Sequence, residues 1–94
     1  MGSDRRRARR YRIDLAVELA AGRGVTRDVS ESGVLFETQL TLTLGDYVEF
    51  SLVLGRFDPQ GPYRVKCAGE VIRLEPHESG QSIAIHLSSY DVNG

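Results

Sequence analysis

The stretch VTRDVSESGVLFET, residues 25–38, indicates the fold most directly, because two strand-forming segments flank a polar turn in it. Val25–Val29 and Gly33–Thr38 are rich in β-branched and other apolar residues, which favour strands. The intervening Ser-Glu-Ser-Gly sequence is typical of a turn, and we expect Gly33 to adopt a positive φ there. The stretch therefore predicts two neighbouring strands with a tight connection.

Alternation of polar and apolar residues extends this pattern in both directions along the chain. Four further segments are predicted strands bounded by turn residues: 12–19, 47–54, 63–75 and 82–87. Residues 39–44 also alternate, but we interpret them as a connection because a Gly-Asp turn follows directly. Gly69, inside the longest predicted strand, indicates a bend or a bulge.

Six short strands without a predicted helix, in 94 residues, indicate one all-β domain. We predict a six-stranded antiparallel β-barrel at residues 11–90, because closure removes exposed strand edges. A two-sheet sandwich is the alternative architecture. Residues 1–10 are too charged to pack and are predicted to form a flexible basic arm. No apolar segment approaches the ~20 residues that span a bilayer, so we expect no membrane insertion.

The charge of the chain is divided unevenly between its two ends. Residues 1–12 carry six arginines and one aspartate, whereas residues 13–94 hold six basic and twelve acidic residues. Arginine presents a planar fork of donors that matches phosphate and the Hoogsteen edge of guanine. The cluster therefore indicates a site for a compact anionic ligand, or else a disordered basic tail that touches membrane lipid, nucleic acid or nothing specific.

Candidate catalytic groups are few. His77 lies in a predicted turn and His86 in a predicted strand, with no second ligand at metal-binding spacing. Cys67 alternates with Val65 on a predicted strand, which is typical of a buried structural thiol. A single cysteine also fits a reducing cytoplasm. We therefore predict a protein that is not an enzyme, has no metal site or cofactor, and is cytoplasmic.

Two short motifs carry the functional prediction. Arg6 and Arg10 form an Arg-x-x-x-Arg spacing, for which Arg5 and Arg9 offer an alternative register. Asp28, Ser30 and Gly33 form an Asp-x-Ser-x-x-Gly sequence. Taken alone, the second motif is also explained as a turn capped by bonds from its side chains to nearby backbone N–H groups.

Together and in this order, the two motifs resemble those of the PilZ domain family. The resemblance covers roughly residues 5–87 and includes four further segments: RYRIDLAV at 10–17, GVLFET at 33–38, LGDYV with its Gly-Asp turn at 44–48 and GEVIR at 69–73. It implies a small β-barrel that binds the bacterial second messenger cyclic di-GMP. The last predicted strand departs from the family pattern, because it lacks the glycine and phenylalanine often found there.

The resemblance also implies roles for individual residues. Arg6 and Arg10 would donate to phosphate or to guanine O6 and N7, and Asp28 would accept from guanine N1–H and N2–H₂. Ser30 would bond beside Asp28, and Gly33 would allow a base close to the backbone. The neighbouring arginines would add attraction or contact a second ligand molecule: Arg5, Arg7 and Arg9.

Ligand binding is expected to order the arm and so to signal to a protein partner or a fused effector domain. Two alternatives remain. One is a nucleic-acid-binding barrel; the acidic body and the small number of aromatic residues placed for base stacking argue against it. The other is a PilZ-like protein-interaction module that binds no nucleotide, although members of that kind usually lack the two motifs.

Overall fold

The computed structural model describes residues 9–93 of the chain. Its strands are β1 (Ala16–Leu19), β2 (Gly22–Val29), β3 (Gly33–Thr38), β4 (Tyr47–Leu54), β5 (Tyr63–His77) and β6 (Gly80–Asn93). All pair antiparallel, in the closed order β1-β2-β3-β6-β5-β4. The predicted six-stranded barrel is confirmed and the sandwich alternative is wrong.

The alternation seen in the sequence places apolar side chains inside the barrel. On β3, Val34, Phe36 and Thr38 are buried while the residues between them face outward. Phe36 packs against Phe50 of β4 with ring centroids 5.5 Å apart. Burial of such side chains supplies the main stabilisation of the barrel.

The first strand is shorter than its sequence pattern predicts. The pattern indicates a strand from residue 12, but β1 begins at Ala16. Thr26 explains the difference, because its buried hydroxyl accepts from Leu15 N and donates to Ile13 O. The Thr26 side chain thus replaces the backbone hydrogen bonds that a neighbouring strand would otherwise make to Ile13 and Leu15.

Other boundaries differ modestly. β2 begins earlier than predicted, at Gly22, and β6 runs on to Asn93 instead of ending at residue 87. Residues 39–44 form no strand, as predicted. The bulge expected at Gly69 is confirmed by a shift in the pairing of β5 with β6.

Most of the predicted basic arm, residues 1–10, lies outside the described residues. Tyr11 forms a bridge to the end of β2, with hydrogen bonds of 2.8 and 2.9 Å to the backbone of Val29. This bridge brings Arg9 and Arg10 to one end of the barrel. Residues 9–93 contain no helix, and therefore none of a length and hydropathy that would span a membrane.

Candidate functional site

A pocket of about 360 Å³ lies on the outer face of the barrel and extends across four adjacent strands. The predicted site residues Arg10, Asp28, Ser30 and Gly33 all line it. Its floor is formed by outward-facing residues of β3 and β6, among them Leu35 and Ala84. The structure thus brings the second arginine of the first motif and the three named residues of the second motif to one surface.

A bulge in β2 determines where Asp28 points. Thr26 pairs with Phe36, and both side chains are buried in the barrel. Strict alternation would turn Asp28 inward as well, because side chains two residues apart share a face. The register shift between Thr26 and Asp28 places one extra residue, Arg27, in between, so that Asp28 pairs instead with outward-facing Leu35.

Two arginines face the Asp28 carboxylate. The guanidinium of Arg10 approaches it to 3.7 Å and that of Arg12 to 3.9 Å. Both arginine side chains are largely exposed, whereas that of Asp28 is 19% exposed. Exposed pairs of this kind contribute at most about 1 kcal/mol, so an incoming ligand can replace them. Arg12 belongs to neither of the two sequence motifs.

Ser30 organises the turn between β2 and β3. Its hydroxyl oxygen accepts from the backbone N–H groups of Gly33 at 3.1 Å and Ser32 at 3.3 Å. The Ser30 N–H also donates to Gly33 O, and Leu87 N on β6 donates to Ser32 O. The capped-turn explanation of the motif therefore holds for Ser30, whereas Asp28 faces arginines.

The prediction of a positive φ at Gly33 is wrong. The described glycines with positive φ are Gly45, Gly55 and Gly80. Gly33 instead lies in the β3 ladder, where an added Cβ would come 3.0 Å from the carbonyl oxygen of Ile85. Glycine is suited to this position because a neighbouring strand approaches its backbone closely. The missing side chain also leaves the floor of the pocket uncovered at this point.

The two described arginines of the arm point to different surfaces. Arg10 lines the pocket that contains Asp28. Arg9 lines another pocket, of about 330 Å³, whose walls include Leu15, Leu54 and Val65 at the end of the barrel. Alternation of side chains along an extended backbone accounts for this separation. Arg5, Arg6 and Arg7 lie outside the described residues.

The pocket has a second wall that sequence reasoning missed. Ile72 and Arg73 of β5 and His86 of β6 line it on the side away from Asp28. The sequence gives one weak signal for this wall, since Val71 and Ile72 are adjacent apolar residues of a strand and alternation turns one of them outward. That signal does not locate the wall, because β5 reaches the pocket only through its pairing with β6.

The remaining candidate chemistry is structural. Cys67 is buried in the core cluster, and desolvation raises the pKa of its thiol to about 11. Such a thiol is protonated at neutral pH and is a poor nucleophile. The His77 Nε2 lies 2.7 Å from the Ser82 hydroxyl, at an exposed position. Within residues 9–93, no three His, Cys, Asp or Glu side chains gather as a metal site would require.

Comparison with known proteins agrees with this architecture. The sequence profile described as PilZ domain matches residues 4–93. The solved structure of the Bacillus subtilis inhibitor of motility, MotI/DgrA, superposes with a TM-score of 0.75 at 15% sequence identity. The match covers 93% of this chain and 44% of that one, so the chain spans less than half the length of that protein. At this identity the likeness shows a shared fold. No curated protein matches the chain.

Proposed function

The chain belongs to the PilZ domain family, and we propose on this basis that it is a receptor for cyclic di-GMP. The observation that carries the proposal is the convergence of Arg10, Asp28, Ser30 and Gly33 on one pocket of the barrel surface. These residues come from two separate motifs. In the pocket, the guanidinium donors of Arg10 lie beside the carboxylate acceptor of Asp28.

The chemistry of the pocket matches the groups of a guanine nucleotide. Guanine offers N1–H and N2–H₂ donors, which suit the Asp28 carboxylate, while its O6 and N7 accept from an arginine fork. Phosphate oxygens accept bidentate bonds from arginine. Hydrogen bonds to charged groups contribute about 1.5–3 kcal/mol each, so a few of them support ~micromolar affinity.

Binding would exchange contacts that already exist. Arg10 and Arg12 lie 3.7 and 3.9 Å from Asp28, which is too far for good hydrogen bonds. A guanine edge on Asp28 would release both guanidinium groups toward phosphate or toward a purine face. The preceding arginines would then add charge to the same ligand or to a second ligand molecule: Arg5, Arg6 and Arg7.

We extend the proposal to an effector role in the cytoplasm, where a second messenger acts. Ligand binding would draw the arginine-rich segment onto the pocket and change the surface offered to a protein partner or an attached domain. The structural relative is named an inhibitor of motility, and control of another protein is consistent with this role. The domain itself would bind and signal without catalysing a reaction.

Isothermal titration calorimetry with cyclic di-GMP tests the proposal. Wild type should bind at micromolar concentration, and Asp28→Ala should weaken binding at least about tenfold, since it removes the guanine acceptor. Glu78→Ala is the matched control, because Glu78 is an exposed carboxylate outside the pocket and its removal changes the net charge in the same direction. Absence of heat with wild type, or equal affinity of wild type and Asp28→Ala, contradicts the proposal.

Titration with a polyanion that contains no guanine distinguishes guanine recognition by Asp28 from general electrostatic attraction of anions to the arginines. Asp28→Ala removes a negative charge, so polyphosphate should bind this variant at least as well as wild type. Equal weakening of both ligands would instead indicate that the substitution damages the barrel, which circular dichroism checks directly.

A further inference from the structure

One row of cross-strand partners crosses the floor of the pocket. Asp28 on β2 pairs with Leu35 on β3, Leu35 with Ala84 on β6, and Ala84 with Arg73 on β5. A carboxylate and a guanidinium thus stand at opposite ends of a row whose middle is an apolar floor. Adjacent strands are about 4.8 Å apart, so three intervals separate these ends by about 14 Å along the curved surface of the barrel.

A second bulge places Arg73 in this row. Val71 pairs with Ile85, and both are buried, so alternation would turn Arg73 inward. The register shift between Val71 and Arg73 adds Ile72 as an extra residue and lets Arg73 pair with outward-facing Ala84. The bulge in β2 has the same effect on Asp28, and bulges are over-represented where a strand must re-aim a side chain.

The side chains of this second wall are available to a ligand. Ile72 is 56% exposed, although it is a large aliphatic residue of a strand. Among the carboxylates of residues 9–93, none lies within ion-pair distance of Arg73. His86 pairs with Gly33, which has no side chain to cover it, and on its other side with Glu70.

We propose that Ile72, Arg73 and His86 bind the half of cyclic di-GMP that lies away from Asp28. This inference rests on the proposed function and adds the residues that distinguish a dinucleotide from a mononucleotide. A cyclic dinucleotide has two purines and two phosphates and can engage both ends of the row. A mononucleotide has one of each and engages the Asp28 end alone. Arg73 donates to phosphate or to guanine O6 and N7, and Ile72 packs on a purine face.

Calorimetric titration of Arg73→Gln tests this assignment. The variant should bind cyclic di-GMP about tenfold more weakly than wild type, equivalent to about 1.4 kcal/mol. Arg64→Gln is the matched control, because Arg64 is an exposed arginine of the same strand that does not line the pocket. It should bind as wild type does. In competition with GMP, the two variants and wild type should give equal inhibition constants within about twofold.

Each outcome bears on a different part of the inference. Equal cyclic di-GMP affinity in wild type and Arg73→Gln overturns the second wall while leaving the receptor proposal intact. Absence of binding by wild type overturns both. Arg73→Lys keeps the charge without the fork, so full affinity in that variant would contradict a bidentate contact of Arg73 with the ligand. Parallel loss of GMP binding would place Arg73 at the Asp28 end and would also overturn the assignment.

Discussion

At the scale of single residues, Thr26 shows how one buried hydroxyl joins the segment that follows the arm to the barrel. Its side chain is fully buried and bonds both Leu15 N and Ile13 O. The Thr26 N–H in turn donates to Leu15 O at 2.9 Å. A hydroxyl at this position satisfies two backbone groups that β1 leaves outside its ladder.

Thr26→Val should therefore destabilise the protein although it conserves shape. The valine leaves a buried N–H and a carbonyl without their partner, at a cost of about 1–3 kcal/mol. Urea unfolding followed by circular dichroism measures the loss. Thr26→Ser is the control, since it keeps the hydroxyl and removes only the methyl group. Equal unfolding midpoints for Thr26→Val and wild type would contradict the structural role.

At the scale of elements, the sequence predicted the strands, but it did not always predict which side chains of a strand face the core. Alternation gave the inward-facing residues of β3 and β4 correctly, because neither strand has an extra residue along its ladder, although Val53 on the other face of β4 is also buried. It would have turned Asp28 and Arg73 inward, since each lies two residues after a buried position. A bulge depends on pairing with a neighbouring strand, so the sequence of one strand does not contain it. The motif resemblance identified Asp28 independently of this geometry, whereas Arg73 had no such signal.

The arm offers a test built from two adjacent residues. Arg10 lines the pocket with Asp28, whereas Arg9 lines the apolar pocket at the barrel end. Arg10→Ala should weaken cyclic di-GMP binding at least about tenfold, and Arg9→Ala by no more than about twofold, because net charge changes equally in both. Calorimetry under the same buffer measures the two constants. The reverse order of effects would favour the register of Arg5 and Arg9 over that of Arg6 and Arg10.

At the scale of the whole molecule, barrel closure and charge separation together produce the candidate site. Closure joins β3 to β6 and β6 to β5, which sets residues far apart in sequence side by side: Gly33, Glu70 and His86. Six turn-bounded strands were enough to predict an all-β barrel, because few other folds of this length leave no edge exposed. Strand order was not predictable in the same way, so half of the pocket wall remained outside sequence reasoning.

The charge distribution makes a prediction about ligand class. Residues 13–94 carry six basic and twelve acidic residues, so a long polyanion meets repulsion beyond the arginine cluster, whereas a compact dinucleotide does not. A single-stranded oligonucleotide of about 20 nucleotides should therefore displace labelled cyclic di-GMP only at much higher concentration than unlabelled ligand. Aromatic rings on which bases stack in nucleic-acid-binding barrels are also few here, because none of the described tyrosines and phenylalanines lines the pocket.

Fluorescence anisotropy measures this competition at about 150 mM salt, where exposed charges more than about 8 Å apart are largely screened. Repeating it at about 50 mM salt should not strengthen the oligonucleotide's competition relative to that of cyclic di-GMP, because weaker screening also strengthens its repulsion from the acidic barrel. Displacement by the oligonucleotide at concentrations comparable to cyclic di-GMP would favour a nucleic-acid-binding barrel. The experiment thus separates a compact dinucleotide from an oligonucleotide by how far the charge of each ligand extends beyond the pocket. This extent matters because the positive charge is concentrated in the arm and the barrel is acidic.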